Sequence, residues 1–219
     1  MEEIELPEGF ELRRDERGLS LVVDGVKLRG DFSRMLPRLR PDRLHQELLV
    51  RAARVRGIEA PVAVDATAGL GEDGLLLAAA GFTVVLCEHD AVIAALLEDA
   101  LARALDDPRL VEVARRMTLV ADDSAKVLAR MDVAPDVVYL DPMFPERRRK
   151  AATNKKLQLF QQLERPCKDE EGLLRAALEA RPRKVVVKRP LKGPYLAGVK
   201  PSSSLEGKVV RYDVIVPAR

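Results

Sequence analysis

From Pro61 onward the hydrophobic positions alternate between two periods. Short continuous apolar runs, PVAVDAT, FTVVLCE, MTLVA, DVVYLDP and KVVVKRP, have the β-branched content of strands buried on both faces. Between them lie stretches with helical spacing: GLLLAAAG, AVIAALLEDALARAL, SAKVLARM and EEGLLRAALEAR. In the longest of these, apolar residues at 92, 93, 96, 97, 100, 101, 104 and 105 trace the stripe of an amphipathic helix. The tail, GKVVRYDVIV, offers one or two more strands. Such alternation predicts an α/β fold with a mostly parallel sheet covered on both faces. Ligands of these sheets bind at the carboxyl ends of the strands, near the switch in strand order.

Upstream the pattern changes. Residues 10–32 read as short strands punctuated by turns, with Asp24-Gly25 a hairpin signal. A helix is expected over Asp42–Arg56, where Leu44, Leu48, Leu49, Ala52, Ala53 and Val55 fall mostly on one stripe and Gly57 ends it. The chain therefore divides into a small β-rich and helical extension, residues 1–58, and an α/β domain, residues 59–219.

Composition narrows this only a little. A chain of 219 residues suffices for one sizeable domain and small appendages. No apolar run approaches the roughly 20 residues that span a bilayer, and the first residues are too charged for a secretory signal, so a cytoplasmic protein is expected. Two cysteines (Cys87, Cys167) and two histidines (His45, His89) are too few and wrongly spaced for the usual zinc sites, and neither a metal nor a disulfide is expected. Cys87 lies in an apolar run and reads as a buried, inert thiol.

The net charge of +2 does not point to nucleic acid, but its distribution does. Between residues 34 and 56 lie seven arginines (Arg34, Arg38, Arg40, Arg43, Arg51, Arg54, Arg56) against Asp42 and Glu47. A second cluster, ERRRKAATNKK at 146–156, carries Arg147, Arg148, Arg149, Lys150, Lys155 and Lys156 against one acid. Patches of this kind neutralise phosphates even when the whole chain is near balance. Lys188 and Arg189, after the fifth core strand, lie at the same rim and are candidates for phosphate contact.

The candidate chemistry sits at the strand ends. The first core strand runs into DATAGLGEDG, in which Gly69, Gly71 and Gly74 match the G-x-G-x-x-G spacing that lets backbone approach a ligand. Glu88 closes the second strand, where an acid typically binds ribose hydroxyls. Asp65, Glu72 and Asp73 put negative charge where a pyrophosphate would sit, which disfavours a dinucleotide. S-adenosylmethionine has no phosphate and carries two cationic centres that carboxylates suit. Asp123 and Ser124, after the third strand, stand where an adenine is met, and either can also cap the next helix.

After the fourth strand comes YLDPMFP. It resembles the (Asp/Asn/Ser)-Pro-Pro-(Tyr/Phe) motif of enzymes that methylate amino groups on nucleic-acid bases. An exocyclic amine is a poor nucleophile, because its lone pair is delocalised into the ring. A carboxylate and a backbone carbonyl that accept its N–H bonds favour the reactive geometry. Asp141 would be the acceptor, Pro142 the turn, and Phe144 the ring that stacks on the flipped-out base.

Taken together, VDATAGLGED, LCEHDAVIAALLEDALARAL, VVYLDPMFP and VVVKRP are similar to the RsmJ-type 16S rRNA (guanine-N2) methyltransferases, over roughly Val62 to the C-terminus. The resemblance implies a Rossmann-like methyltransferase fold, S-adenosylmethionine as cofactor, and methylation of a guanine 2-amino group in small-subunit ribosomal RNA or the small ribosomal subunit. It implies a cofactor site of Glu72, Asp73, Glu88, His89, Asp123, Ser124 and Asp141, beside Asp65, Gly69 and Gly71 of the glycine loop. Two departures stand out. The family has Glu-Arg at Glu88-His89, and a glycine-rich basic stretch where this chain reads RLRPDRLHQELLVRAARVRG, a segment that could dock RNA differently. Methylation of another RNA base amine, an NAD-dependent oxidoreductase and a non-catalytic RNA-binding protein remain the rival readings.

Overall fold

The computed structural model describes residues 6, 8–142 and 169–217. Its first elements are three antiparallel strands, Glu11–Asp15 (β1), Gly18–Val23 (β2) and Val26–Leu28 (β3). Asp24 and Gly25 both have positive φ, 46° and 73°, as the tightest hairpin turns require, so the expected hairpin forms there.

Where one helix over Asp42–Arg56 is expected, the structure corrects the reading. A 3₁₀ turn at Phe32–Met35 is followed by three short helices, Leu36–Leu39 (α1), Pro41–Leu44 (α2) and Leu48–Ala53 (α3). Arg40 precedes a proline and is extended, with ψ 138°. Glu47 is extended too, with ψ 126°, and accepts two bonds from the Arg38 guanidinium at 2.8 Å each. Helix α3 stops before Gly57, where Lys184 Nζ donates to the carbonyls of Ala52 and Arg54 at 3.2 and 3.0 Å.

The α/β domain follows in alternation: Val62–Asp65 (β4), Glu72–Ala79 (α4), Thr83–Cys87 (β5), Ala91–Asp106 (α5), Val111–Ala114 (α6), Met117–Val120 (β6), Ser124–Ala129 (α7) and Val137–Leu140 (β7). Beyond residue 168 come Glu170–Glu179 (α8), Lys184–Pro190 (β8), Ser203–Glu206 (β9) and Val210–Ile215 (β10). They build a seven-stranded sheet in the order β6-β5-β4-β7-β8-β10-β9. Strands β4 to β8 run parallel, and β10 is antiparallel to both its neighbours. All five parallel strands therefore end at one edge, and strand order reverses between β4 and β7.

The continuous apolar strands do bury both faces. Ala63, Val137, Tyr139 and Val186 point to one side, with α4 and part of α5; Val64, Val138, Leu140, Val185 and Val187 point to the other, with Leu128 of α7 and Leu174 of α8. Helix α5 has a stripe too wide for one contact. Leu97, Ala100, Leu101 and Ala104 face the main core, while Val92, Ile93 and Leu96 pack with Leu21 and Leu28 of the small sheet. Buried Asp99 fastens that junction, accepting from Leu19 N, Arg14 and Arg103 at 3.0, 2.6 and 2.8 Å. Among the described residues no helix is long and apolar enough to cross a membrane.

Candidate active site

The glycine loop is held by backbone. As the chain leaves β4, Ala66 N donates to Tyr139 O and Ala68 N to Cys87 O, each at 3.0 Å, so the loop is laced to the strands on either side. Gly69 (φ 53°) and Gly71 (φ 78°) take left-handed conformations, and Gly71 begins α4. A Cβ on Gly71 would lie 2.6 Å from Leu97 Cδ1. Glu88, 4% exposed, holds the loop from below: Oε2 accepts from Gly69 N at 3.0 Å and Oε1 from Asp90 N at 2.8 Å. Burial raises its pKa, while these two backbone bonds and the nearby His89 lower it. The neighbouring His89 side chain is largely exposed, 3.4 Å from Glu88.

Beneath the loop, Asp65 is fully buried. Its Oδ1 accepts from Thr67 N at 3.2 Å, and its Oδ2 has no hydrogen-bond partner among the described residues. Burial, with Asp73 next, pushes its pKa well above the usual carboxylate range. At the end of β6, Asp123 Oδ1 caps α7 through Ala125 N at 2.8 Å, and Ser124 is the first helical residue. The capping role foreseen for this pair is thus Asp123's. Cys87 is buried, and burial pushes its thiol up to about 12, as an inert core thiol requires.

The other half of the edge is built from charged side chains. Asp141 follows β7; its backbone N donates to Thr67 Oγ1 at 2.7 Å, tying the end of that strand to the glycine loop. Lys188 Nζ lies 2.8 Å from Asp73 Oδ2 and 2.8 Å from Asp141 Oδ2. The buried Tyr139 hydroxyl donates to the same Asp73 oxygen at 2.6 Å. Burial lowers the Lys188 pKa, but the two carboxylates outweigh it and hold the ammonium well above its ordinary value. Asp141 is pushed up by burial and pulled back by Lys188. Tyr139 was visible in the sequence only as core, and the bridging role of Lys188 had no local signal at all.

Placement of the remaining residues is mixed. Asp65, Gly69, Gly71, Asp73, Glu88 and Asp141 come together at the strand-end edge, and Glu72 is exposed in the first turn of α4. Lys188 is not a free rim cation, because it lies between two carboxylates. Arg189 lies in the interior and not at the rim: its side chain is 0% exposed and pairs with Glu170 at 3.2 Å. Of the arginines at 34–56, Arg34, Arg40 and Arg43 keep about two-thirds of their side chains exposed while pairing with Asp31 or Asp42. Phe144, Arg147, Arg148, Arg149, Lys150, Lys155, Lys156 and Cys167 lie outside the described residues.

Against known proteins, residues 8–217 match the family model SAM_MT, SAM-dependent methyltransferase. The chain is 47% identical over 169 residues to the Ribosomal RNA small subunit methyltransferase J of Pseudomonas aeruginosa (strain LESB58), covering 77% of this chain and 65% of that protein. This chain thus spans a little under two-thirds of that relative's length. The protein of the same name from Thioalkalivibrio sulfidiphilus is 42% identical over 210 residues, covering 92% of this chain and 82% of the relative. Among solved structures, a SAM-dependent methyltransferase from Neisseria gonorrhoeae superposes with a TM-score of 0.78 at 34% identity, over 97% of this chain and 85% of that one.

Proposed function

This chain belongs to the SAM-dependent methyltransferase family, and on the chemistry of its strand-end site we propose that it methylates the 2-amino group of a guanine in small-subunit ribosomal RNA. One observation carries the proposal. Asp141 stands at the switch point beside the glycine loop, its Oδ2 held by Lys188 and its Oδ1 without a hydrogen bond among the described residues. An acceptor left open at that position suits a base amine. The choice of the small subunit rests on the names of the relatives, and the choice of guanine on the resemblance of VDATAGLGED and VVYLDPMFP to guanine-N2 methyltransferases.

The family's cofactor is S-adenosylmethionine, and the residues fit it. Among the described residues Asp65 keeps a buried carboxylate oxygen without a partner, Asp73 and Glu88 add acidic character, and Gly69 and Gly71 keep side chains out of the loop. Asp65, Glu72, Asp73, Glu88 and His89 would hold its amino-acid and ribose parts, with Asp123, Ser124 and Asp141 completing the contact. When bound, it supplies a methyl group on a sulfonium, whose C–S electron pair returns to sulfur as the N–C bond forms.

The chain's own residues orient the acceptor. Asp141 Oδ1 receives the guanine N–H and draws the lone pair towards the reactive geometry; the proton that the nitrogen sheds passes to Oδ1 and on to water. Pro142 fixes the turn, and Phe144 stacks on the base. Because this is a direct displacement, alignment contributes much of the acceleration. Arg147, Arg148, Arg149, Lys150, Lys155 and Lys156 grip the RNA that carries the base. The extension at 1–58, with Arg34, Arg40 and Arg43 exposed, adds a second docking surface. A ribosomal substrate makes this a cytoplasmic protein.

The test is a reaction with isotopically labelled S-adenosylmethionine and small ribosomal subunits that lack the modification, followed by nucleoside analysis. Label in N2-methylguanosine is expected. Label in N6-methyladenosine would keep the amine chemistry and overturn the base assignment.

A further inference from the structure

The function proposed above uses Asp141 but does not explain why a lysine is planted against it. Lys188 lies in β8, whose register with β7 and β10 is fixed on both sides: Val187 is opposite Leu140 and Lys188 opposite Tyr212. Its ammonium, only 25% exposed, reaches Asp73 of α4 and Asp141 after β7 at the same 2.8 Å. The trio carries one positive and two negative charges, so it is a poor landing place for a phosphate. It also joins the cofactor half of the edge to the base half, and its contact on Asp141 is to Oδ2 alone.

We propose that Lys188 is a positioning residue for methyl transfer, holding the Asp141 carboxylate ionised and turned so that Oδ1 meets the incoming amine. The inference rests on the reading of Asp141 as the amine acceptor. A protonated Asp141 offers the amine a donor in place of an acceptor. The groups that set its ionisation come from the neighbouring elements: Lys188 and Arg189 of β8, Asp73 of α4, Asp65 of β4, Tyr139 of β7 and Tyr212 of β10, while Arg38 of α1 acts on Asp73 and Tyr212. Burial and Asp73 favour the protonated form, and Lys188 is the largest force against it. Without Lys188, Asp141 would take up its proton at a higher pH.

The experiment compares Lys188→Met, Lys188→Arg and Asp73→Asn with wild type, measuring kcat and KM for the RNA across pH, and S-adenosylmethionine affinity by calorimetry without RNA. Lys188→Met is expected to lower kcat by roughly 10²-fold and to move the acid limb of the profile to higher pH. KM for the RNA and its salt dependence should stay near wild type, and cofactor affinity should change by less than about 10-fold, or 1.4 kcal/mol. Lys188→Arg, which keeps the charge, should restore the limb and part of the rate. Asp73→Asn removes a negative neighbour, so its limb should move the opposite way, to lower pH, and this variant carries the test should Lys188→Met fail to fold. A Lys188→Met enzyme with unchanged kcat and acid limb overturns the inference, as does a pure rise in KM with a weaker salt dependence, which would return Lys188 to phosphate contact. A wild type that transfers no methyl group defeats the functional reading itself.

Discussion

The two halves of the strand-end edge are built from different materials. At the glycine loop the chain is secured through its own backbone N–H groups, Ala66 N to Tyr139 O, Ala68 N to Cys87 O and Gly69 N to the Glu88 carboxylate, over a buried Asp65. On the β7–β8 side the position of Asp141 depends on a lysine and on Thr67 Oγ1. Backbone geometry of the first kind is intolerant of added atoms. The second kind tolerates small changes of shape and responds to charge. The proposed reaction, with one cofactor and a large RNA, would gain from this division, since the rigid half serves the constant ligand.

The largest effect that separates the halves is expected from Gly71→Ala. Its φ of 78° is costly for a residue with a Cβ, and that atom would lie 2.6 Å from Leu97 Cδ1 and 3.2 Å from Phe32 Cζ. Together these cost about 2–4 kcal/mol, read as a shifted urea midpoint with weakened cofactor binding. Unchanged stability would mean that the rigid half is softer than its hydrogen bonds indicate.

A smaller effect, with a sign fixed by linkage, is expected from Asp65→Asn in the ligand-free protein. The folded-state pKa of Asp65 is raised above the unfolded value, chiefly by burial. Both states are neutral at low pH; as pH rises past the unfolded value the unfolded chain ionises first, and wild type loses stability until pH passes the folded pKa. The melting-temperature difference should therefore move in favour of Asp65→Asn as pH rises from about 4, the ordinary aspartate value, toward neutrality. A difference that is flat across this range would mean that Asp65 is not a strained carboxylate held for a cationic ligand.

The smallest effect probes whether the charged half extends outward onto α1 and α2. Arg40→Ala or Arg43→Ala should lower the log–log salt slope of RNA binding by about 1 for each phosphate that is no longer neutralised. Both side chains are more than 60% exposed and share the single carboxylate of Asp42. A slope unchanged in both variants would confine RNA binding to the rest of the surface.

Much of this was legible in the sequence, for identifiable reasons. The continuous apolar strands and the stripe of α5 marked the parallel sheet because burial on both faces leaves no polar alternation to confuse the period. Glycine spacing marked the loop at the edge, because close approach and positive φ demand that residue type. The helix expected over Asp42–Arg56 failed because the chain turns extended at Glu47, whose carboxylate the Arg38 guanidinium holds, and the apolar spacing survives in pieces. Strand β9, with the sequence SSLE, was invisible because a short polar edge strand has no hydrophobic signature. Lys188 and Arg189, adjacent in sequence, looked alike as rim cations; strand pleat sends one to two carboxylates in the site and the other into the interior against Glu170. Only tertiary register distinguishes them.

The most direct test of the account is the labelled methyl-transfer assay run with Asp141→Ala beside wild type, together with calorimetric titration of both by S-adenosylmethionine. The account predicts label in N2-methylguanosine with wild type and a loss of roughly 10²- to 10⁴-fold in the variant, while the variant still binds cofactor through the backbone-built half. A variant that methylates guanine at the wild-type rate would contradict it, since the open carboxylate at the switch point would then have no part in the chemistry.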